Sequence, residues 1–169
     1  VASSTNVVSV SNALGLNSTA GVYSASGEAY LSAVTPATLS AWDTVTIAAS
    51  TTAATNYKIY FYTGTSSFIL IPNSDLPSNN NGFNGPTIDI SRLNPAVYPS
   101  ITPQIRFTTS NTAQTPTVSM VQVNYIASKT PAAGVNVTVQ GAKTIGTLAD
   151  SSPVYKYTGT KTTNSSGVT

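Results

Sequence analysis

Cysteine and histidine are both missing from this 169-residue chain. Without thiols there is no disulfide staple and no thiolate chemistry, so stability has to come from burial and backbone pairing. Without imidazole, Ser-His-Asp and Cys-His catalysis and histidine-containing zinc sites are ruled out. Charge is scarce too: 7% of residues are charged, against about 25% in an average globular protein, and Ser, Thr and Asn supply most of the polar surface. That composition belongs to the cell exterior more than to the cytosol. The seven basic residues are spread along the chain, so no stripe exists to neutralise a phosphate backbone, and nucleic acid is not an expected partner. No run approaches the roughly 18 apolar residues of a membrane-spanning helix. The opening VASSTNVVSVSNALG lacks the basic and apolar regions of a signal peptide, so in an exported protein Val1 would be a processed or trimmed start.

Helix signals are nearly absent, because no window places apolar residues at i, i+3, i+4 and i+7 between caps. Strand signals recur instead. Asn6–Leu14, Glu28–Val34, Thr44–Ser50, Tyr57–Thr63, Ser67–Ile71, Thr87–Ser91, Gln104–Ser110 and Val118–Ile126 are short, rich in β-branched and aromatic residues, and bounded by turn formers. Such a series predicts an all-β sandwich or barrel. Alternation assigns faces. Val45 and Ile47 point to the core, Ile105 and Phe107 share a face opposite Arg106, and Val121, Val123 and Tyr125 form one stripe. Tyr57–Thr63 has no polar side, so the face carrying Lys58, Tyr60 and Tyr62 is either covered by another element or offered to something.

The five acids, Glu28, Asp43, Asp75, Asp89 and Asp150, are scattered singly; a two-carboxylate glycosidase remains arithmetically possible, but nothing points to a particular pair. No catalytic residues and no enzymatic activity are expected. Calcium is the ion such residues could hold, through Asp75 with Asn73, Asn79 and Asn80 in the Ile71–Ser91 stretch and Asp89 on the strand that follows. The same Asn and Asp residues also serve turns directly, and with Gly85 and Pro86 beside them the stretch reads first as a long, turn-rich connection. Trp42 reads first as a packed core residue and otherwise as a sugar platform, a role Tyr60 and Tyr62 could share. Arg106 is expected under a loop and Lys58 in solvent. Asn17, Asn136 and Asn164 begin N-glycosylation sequons, and Lys129 or Lys143 could supply the amine of a Lys–Asn isopeptide crosslink.

Leu39 to Ile126 resembles the jelly-roll modules of large bacterial surface proteins. It is similar to discoidin-like or galactose-binding-like modules and to segments of pilus-associated and adhesin-like proteins. The residues that carry the resemblance are Trp42 before a strand, Ile71-Pro72 with Leu76-Pro77, Ile88 and Ile90 followed by Leu93, Tyr98-Pro99, Arg106, and Thr115-Pro116 before the last strand. After a linker at 128–132, residues 133–169 are similar to the opening of an immunoglobulin-like or carboxypeptidase-regulatory-like sandwich. The expectation is thus a jelly-roll β-sandwich over 1–127 followed by an incomplete second β-sandwich segment, truncated or completed by another chain. The resemblance implies an extracellular structural or adhesive module of a surface protein or filament, partnered by copies of itself or by the rest of a longer chain. The alternative is a carbohydrate-binding module using Trp42, Tyr60, Tyr62, Asn79 and Asn80 to hold a glycan.

Overall fold

The computed structural model describes residues 1–64, 67–128, 134, 136–140, 144–147, 153–155 and 158–166. Among them are strands and turns and no helix. The chain divides into two compact units, Val1–Ser128 and Lys129–Thr169.

Twelve strands build the first unit: β1 (Ser3–Thr5), β2 (Val7–Val10), β3 (Ala13–Leu16), β4 (Ser18–Thr19), β5 (Val22–Tyr23), β6 (Ser26–Tyr30), β7 (Leu39–Ser50), β8 (Thr55–Thr63), β9 (Ile69–Leu70), β10 (Thr87–Asp89), β11 (Thr102–Thr109) and β12 (Thr117–Ala127). One antiparallel sheet has the order β1-β6-β11-β8-β9 and the other β10-β7-β12-β3-β2, while β4 and β5 form a small hairpin. From β3 onward the long strands alternate between the sheets, except that β8 and β9 stay together. This is the eight-stranded double Greek key of a jelly-roll sandwich. The N-terminal segment adds β1 to the edge of one sheet and then β2 to the edge of the other.

Two expectations change in detail. Asn6–Leu14 is not one strand, because Ser11 and Asn12 take φ of 48° and 64°. Those are the left-handed conformations that a two-residue hairpin loop requires, so the segment folds back as β2 and β3. Tyr125 keeps to the stripe of Val121 and Val123, opposite the core residue Trp42, but lies exposed at its end. The register of β12 against β7 slips between Val123 and Tyr125, and the Tyr125 ring lies 6.3 Å from that of Trp42.

Along β8 and β11 alternation holds. Trp42, Val45, Ile47, Ile88 and Val118 from one sheet meet Ala29, Tyr57, Ile59, Phe61, Ile105 and Phe107 from the other, and connections add Ile71, Leu76, Ile90, Leu93, Tyr98 and Ile101. Burying each such aliphatic side chain contributes roughly 1.5–3 kcal/mol, the main source of stability in a chain without disulfides. The long connection at 71–86 runs along the edge of β8. Ile71 N donates to Phe61 O at 3.0 Å, and Phe83 exchanges two backbone bonds with Ile59. Covering an edge in this way removes a template for unwanted strand pairing.

Ala2 N donates to Tyr30 O at 2.8 Å where β6 ends, and Ala127 pairs with Leu39 where β7 begins. The 31–38 connection joins those two points, so both ends of this unit lie at one pole. The connections at 51–54 and 110–116 occupy the other.

In the second unit, β13 (Asn136–Gln140) pairs antiparallel with β16 (Thr158–Thr162), and β14 (Thr144–Thr147) with β15 (Pro153–Tyr155). Lys129 and Lys143, named for a crosslink, lie outside the described residues.

Candidate functional site

Trp42 cannot serve as a sugar platform: it is 1% exposed, within the core. Asn79 is equally unavailable. Fully buried, it accepts from Phe61 N through Oδ1 at 2.9 Å and donates through Nδ2 to Phe61 O at 2.8 Å and Ile71 O at 2.7 Å. Its amide therefore stands in for a strand at the open edge of β8. Asn80 is tied to Asn73 by two hydrogen bonds, Asn73 Nδ2 to Asn80 Oδ1 at 2.6 Å and Asn80 N to Asn73 Oδ1 at 2.9 Å.

The two acids proposed for calcium have separate settings. Asp75 accepts from the Tyr98 hydroxyl and from Ser74 Oγ, beside a cleft of about 260 Å³ that Arg92 also lines. Its proximity raises the Tyr98 hydroxyl above the ordinary tyrosine value. Asp89, on β10, pairs with Thr44 of the neighbouring strand β7, and the Ser91 hydroxyl and backbone N–H hold its carboxyl below the usual range. No three potential metal ligands of the His, Cys, Asp or Glu type gather among the described residues. Asn17 and Asn164 are exposed sequon residues; Asn136 begins β13.

The concentration of chemistry lies on the outer face of the β1-β6-β11-β8 sheet. Register sets Thr5, Glu28, Arg106 and Lys58 side by side in one row, and Ser3, Tyr30, Gln104 and Tyr60 in the next. One half of this face is aromatic and covered. Phe68 stacks on Tyr30 at 4.1 Å, Tyr30 meets Tyr62 edge-on at 5.3 Å, and Gly82 lies so close to Tyr60 that a Cβ there would come within 2.6 Å of the ring. Tyr60 and Tyr62 are consequently buried, and neither offers a face to a ligand. Burial first, then the neighbouring Tyr30, pushes the Tyr62 hydroxyl up to about 12, with Arg106 pulling the other way.

The other half is polar and open. Arg106 is not under a loop, its side chain being 46% exposed. Its guanidinium lies 4.6 Å over the Tyr60 ring, and Nε sits 3.4 Å from Glu28 Oε2. Beneath the pair is Gln104, fully buried, which donates to Glu28 Oε2 at 3.0 Å and accepts from Arg106 Nε at 3.0 Å and the Tyr62 hydroxyl at 3.2 Å. Arg106 Nη2 donates to the Tyr62 hydroxyl at 3.4 Å. Lys58 is only partly solvated and donates to Asn81 O. A groove of about 460 Å³ opens beside the pair, walled by Thr5, Asn6, Ser26 and Thr108.

The groove can hold polar groups, with one carboxylate and one guanidinium side by side. Asp43 and Asp89 belong to strands of the opposite sheet. Glu28, Gln104 and the hydroxyl wall were not singled out from sequence. The one available signal was the alternation that placed Arg106 on the outward face. No family model, curated protein or solved structure matches the chain.

Proposed function

We propose that this chain is an extracellular structural or adhesive part of a surface protein or filament, working through strand packing and surface contacts and not through catalysis. The observation that carries the reading is the succession of two compact β units in one chain, the serial organisation of proteins that extend from a surface. The sparse charge and abundant Ser, Thr and Asn suit a surface working in salt and without chaperones. The edge of β8, sealed by the 71–86 connection, suits a module packed among many copies of itself. Its partners are other copies of the chain or the rest of a longer one. Antibodies raised against the purified protein should label intact cells of the source organism. Labelling that requires permeabilisation would overturn the proposal.

A further inference from the structure

We infer that the chain modifies itself at Asn84-Gly85: Gly85 N attacks the Asn84 side-chain amide, the Tyr57 hydroxyl assists, and Asn84 becomes aspartate or isoaspartate. This goes beyond the structural role proposed above and can fail without it.

The reaction needs nothing but the two residues and water. Gly85 N bonds to Asn84 Cγ, and the side-chain nitrogen leaves as ammonia, taking the Gly85 proton. Water then opens the five-membered succinimide at either carbonyl, giving a carboxylate and a proton. The attack is intramolecular, so the reacting atoms are already gathered, and glycine has no Cβ to shield its nitrogen.

Two Asn-Gly pairs stand in the same connection, and the fold treats them differently. At Asn81-Gly82 the backbone is locked in a turn. Asn81 N donates to Ser78 O at 3.0 Å, Gly82 N donates to Asn79 O at 3.2 Å, and Lys58 holds Asn81 O. The attacking N–H is thus engaged, and Gly82, at φ 69°, is packed against the Tyr60 ring. At Asn84-Gly85 the asparagine is exposed. Among the described residues the pair's hydrogen bonds are those its carbonyls accept from Tyr57, so both the Asn84 side chain and Gly85 N are free to react. The space is open as well: a Cβ on Gly85 would meet nothing closer than Thr87 O at 3.6 Å.

Tyr57 makes the second pair more than merely accessible. As Gly85 N gives up its proton, negative charge spreads onto Asn84 O, and the Tyr57 hydroxyl already points at that oxygen from 3.2 Å. A fixed donor placed where charge develops lowers the barrier. Burial raises the Tyr57 hydroxyl above the ordinary tyrosine value, so it keeps its proton in the mild base that favours attack. Conversion lowers the formal charge of +2 by one. Isoaspartate also puts a methylene into the main chain between Asn84 and Gly85, separating the two carbonyls that Tyr57 bridges.

The test is to hold the full chain for days in mildly alkaline buffer at physiological temperature and map its peptides by mass spectrometry with an isoaspartate assay. Asn84 should convert at least about tenfold faster than Asn81, and the two should convert alike in guanidinium chloride, where the fold is gone. Gly85→Ala, which the structure accommodates, should suppress the reaction. Tyr57→Phe, which keeps most of the ring's volume, should slow Asn84 severalfold in the folded chain and leave its rate in guanidinium chloride unchanged. The inference is overturned if Asn84 converts no faster than Asn81, if the difference survives unfolding, or if Tyr57→Phe converts as fast as the parent.

Discussion

Trp42 and Tyr98, 56 positions apart, are joined by one buried hydrogen bond, the indole Nε1 donating to the Tyr98 carbonyl at 2.8 Å. The bond fastens the 90–101 connection to β7 and satisfies the polar end of the largest core side chain. Trp42→Ala should cost about 3–5 kcal/mol, as large core truncations do. Trp42→Phe keeps most of the volume but strands the Tyr98 carbonyl, and should cost about 1–3 kcal/mol. Urea unfolding measures both. Trp42 is the only tryptophan, so native emission should be blue-shifted and insensitive to iodide; ready quenching would contradict the burial.

Replacing Asn79 should be more damaging than its place in an Asn-rich loop suggests. Asn79→Ala leaves Phe61 N without its 2.9 Å acceptor and weakens the satisfaction of two buried carbonyls. The expected loss is at least about 2 kcal/mol, whereas Asn81→Ala, at an exposed neighbour, should stay within about 0.5 kcal/mol. Equal effects from the two substitutions would refute the edge-sealing role.

Alkaline pH should weaken the first unit through Tyr62. Its folded pKa, about 12, lies above the ordinary tyrosine value of 10.0, so between these values the folded state holds a proton that the unfolded state releases. The contribution is complete below pH 10 and is lost as pH rises toward 12, by an amount of the order of 2 kcal/mol. Tyr62→Phe should flatten that part of the stability profile. A parent and variant with the same slope from pH 10 to 12 would rule Tyr62 out as the cause.

Removing calcium should leave stability unchanged. Asp75 is engaged by Tyr98 and Ser74, Asp89 by Ser91, and Asn73 and Asn80 by each other. A cation that bound only the folded state would stabilise it by mass action. Melting curves with calcium and with excess EDTA should therefore superimpose; a chelator-dependent fall of several degrees would restore calcium to the fold.

Local pattern made the strands legible, as at Ile105, Arg106 and Phe107, where alternation places each side chain on the face it occupies. It failed where backbone geometry departs from regularity: the extra residue of β7 between Trp42 and Val45 puts both in the core three positions apart, and Ser11-Asn12 sits inside an apparently continuous run. The groove was hidden for a different reason. Glu28 and Gln104 are 76 positions apart, and only the pairing of β6 with β11 brings them together. Asn79 reads as a turn former because its composition and neighbours say so; that it lies buried against β8 depends on how the whole connection folds back.

The shared pole of Val1 and Ser128 sets how the first unit meets mechanical load. Tension applied between those two points would draw β1 from β6 starting at Ala2, and β12 from β7 starting at Ala127, so the hydrogen bonds would be strained one after another instead of all together. Sequential peeling of this kind yields at low force, whereas strands pulled lengthwise past one another resist as a block. As a hypothesis, the unit acts as a soft link when pulled through its ends. Single-molecule stretching should find it giving way well before the same unit gripped at Val1 and at the opposite pole near Thr52. A higher yield force through Val1 and Ser128 would disprove the peeling geometry.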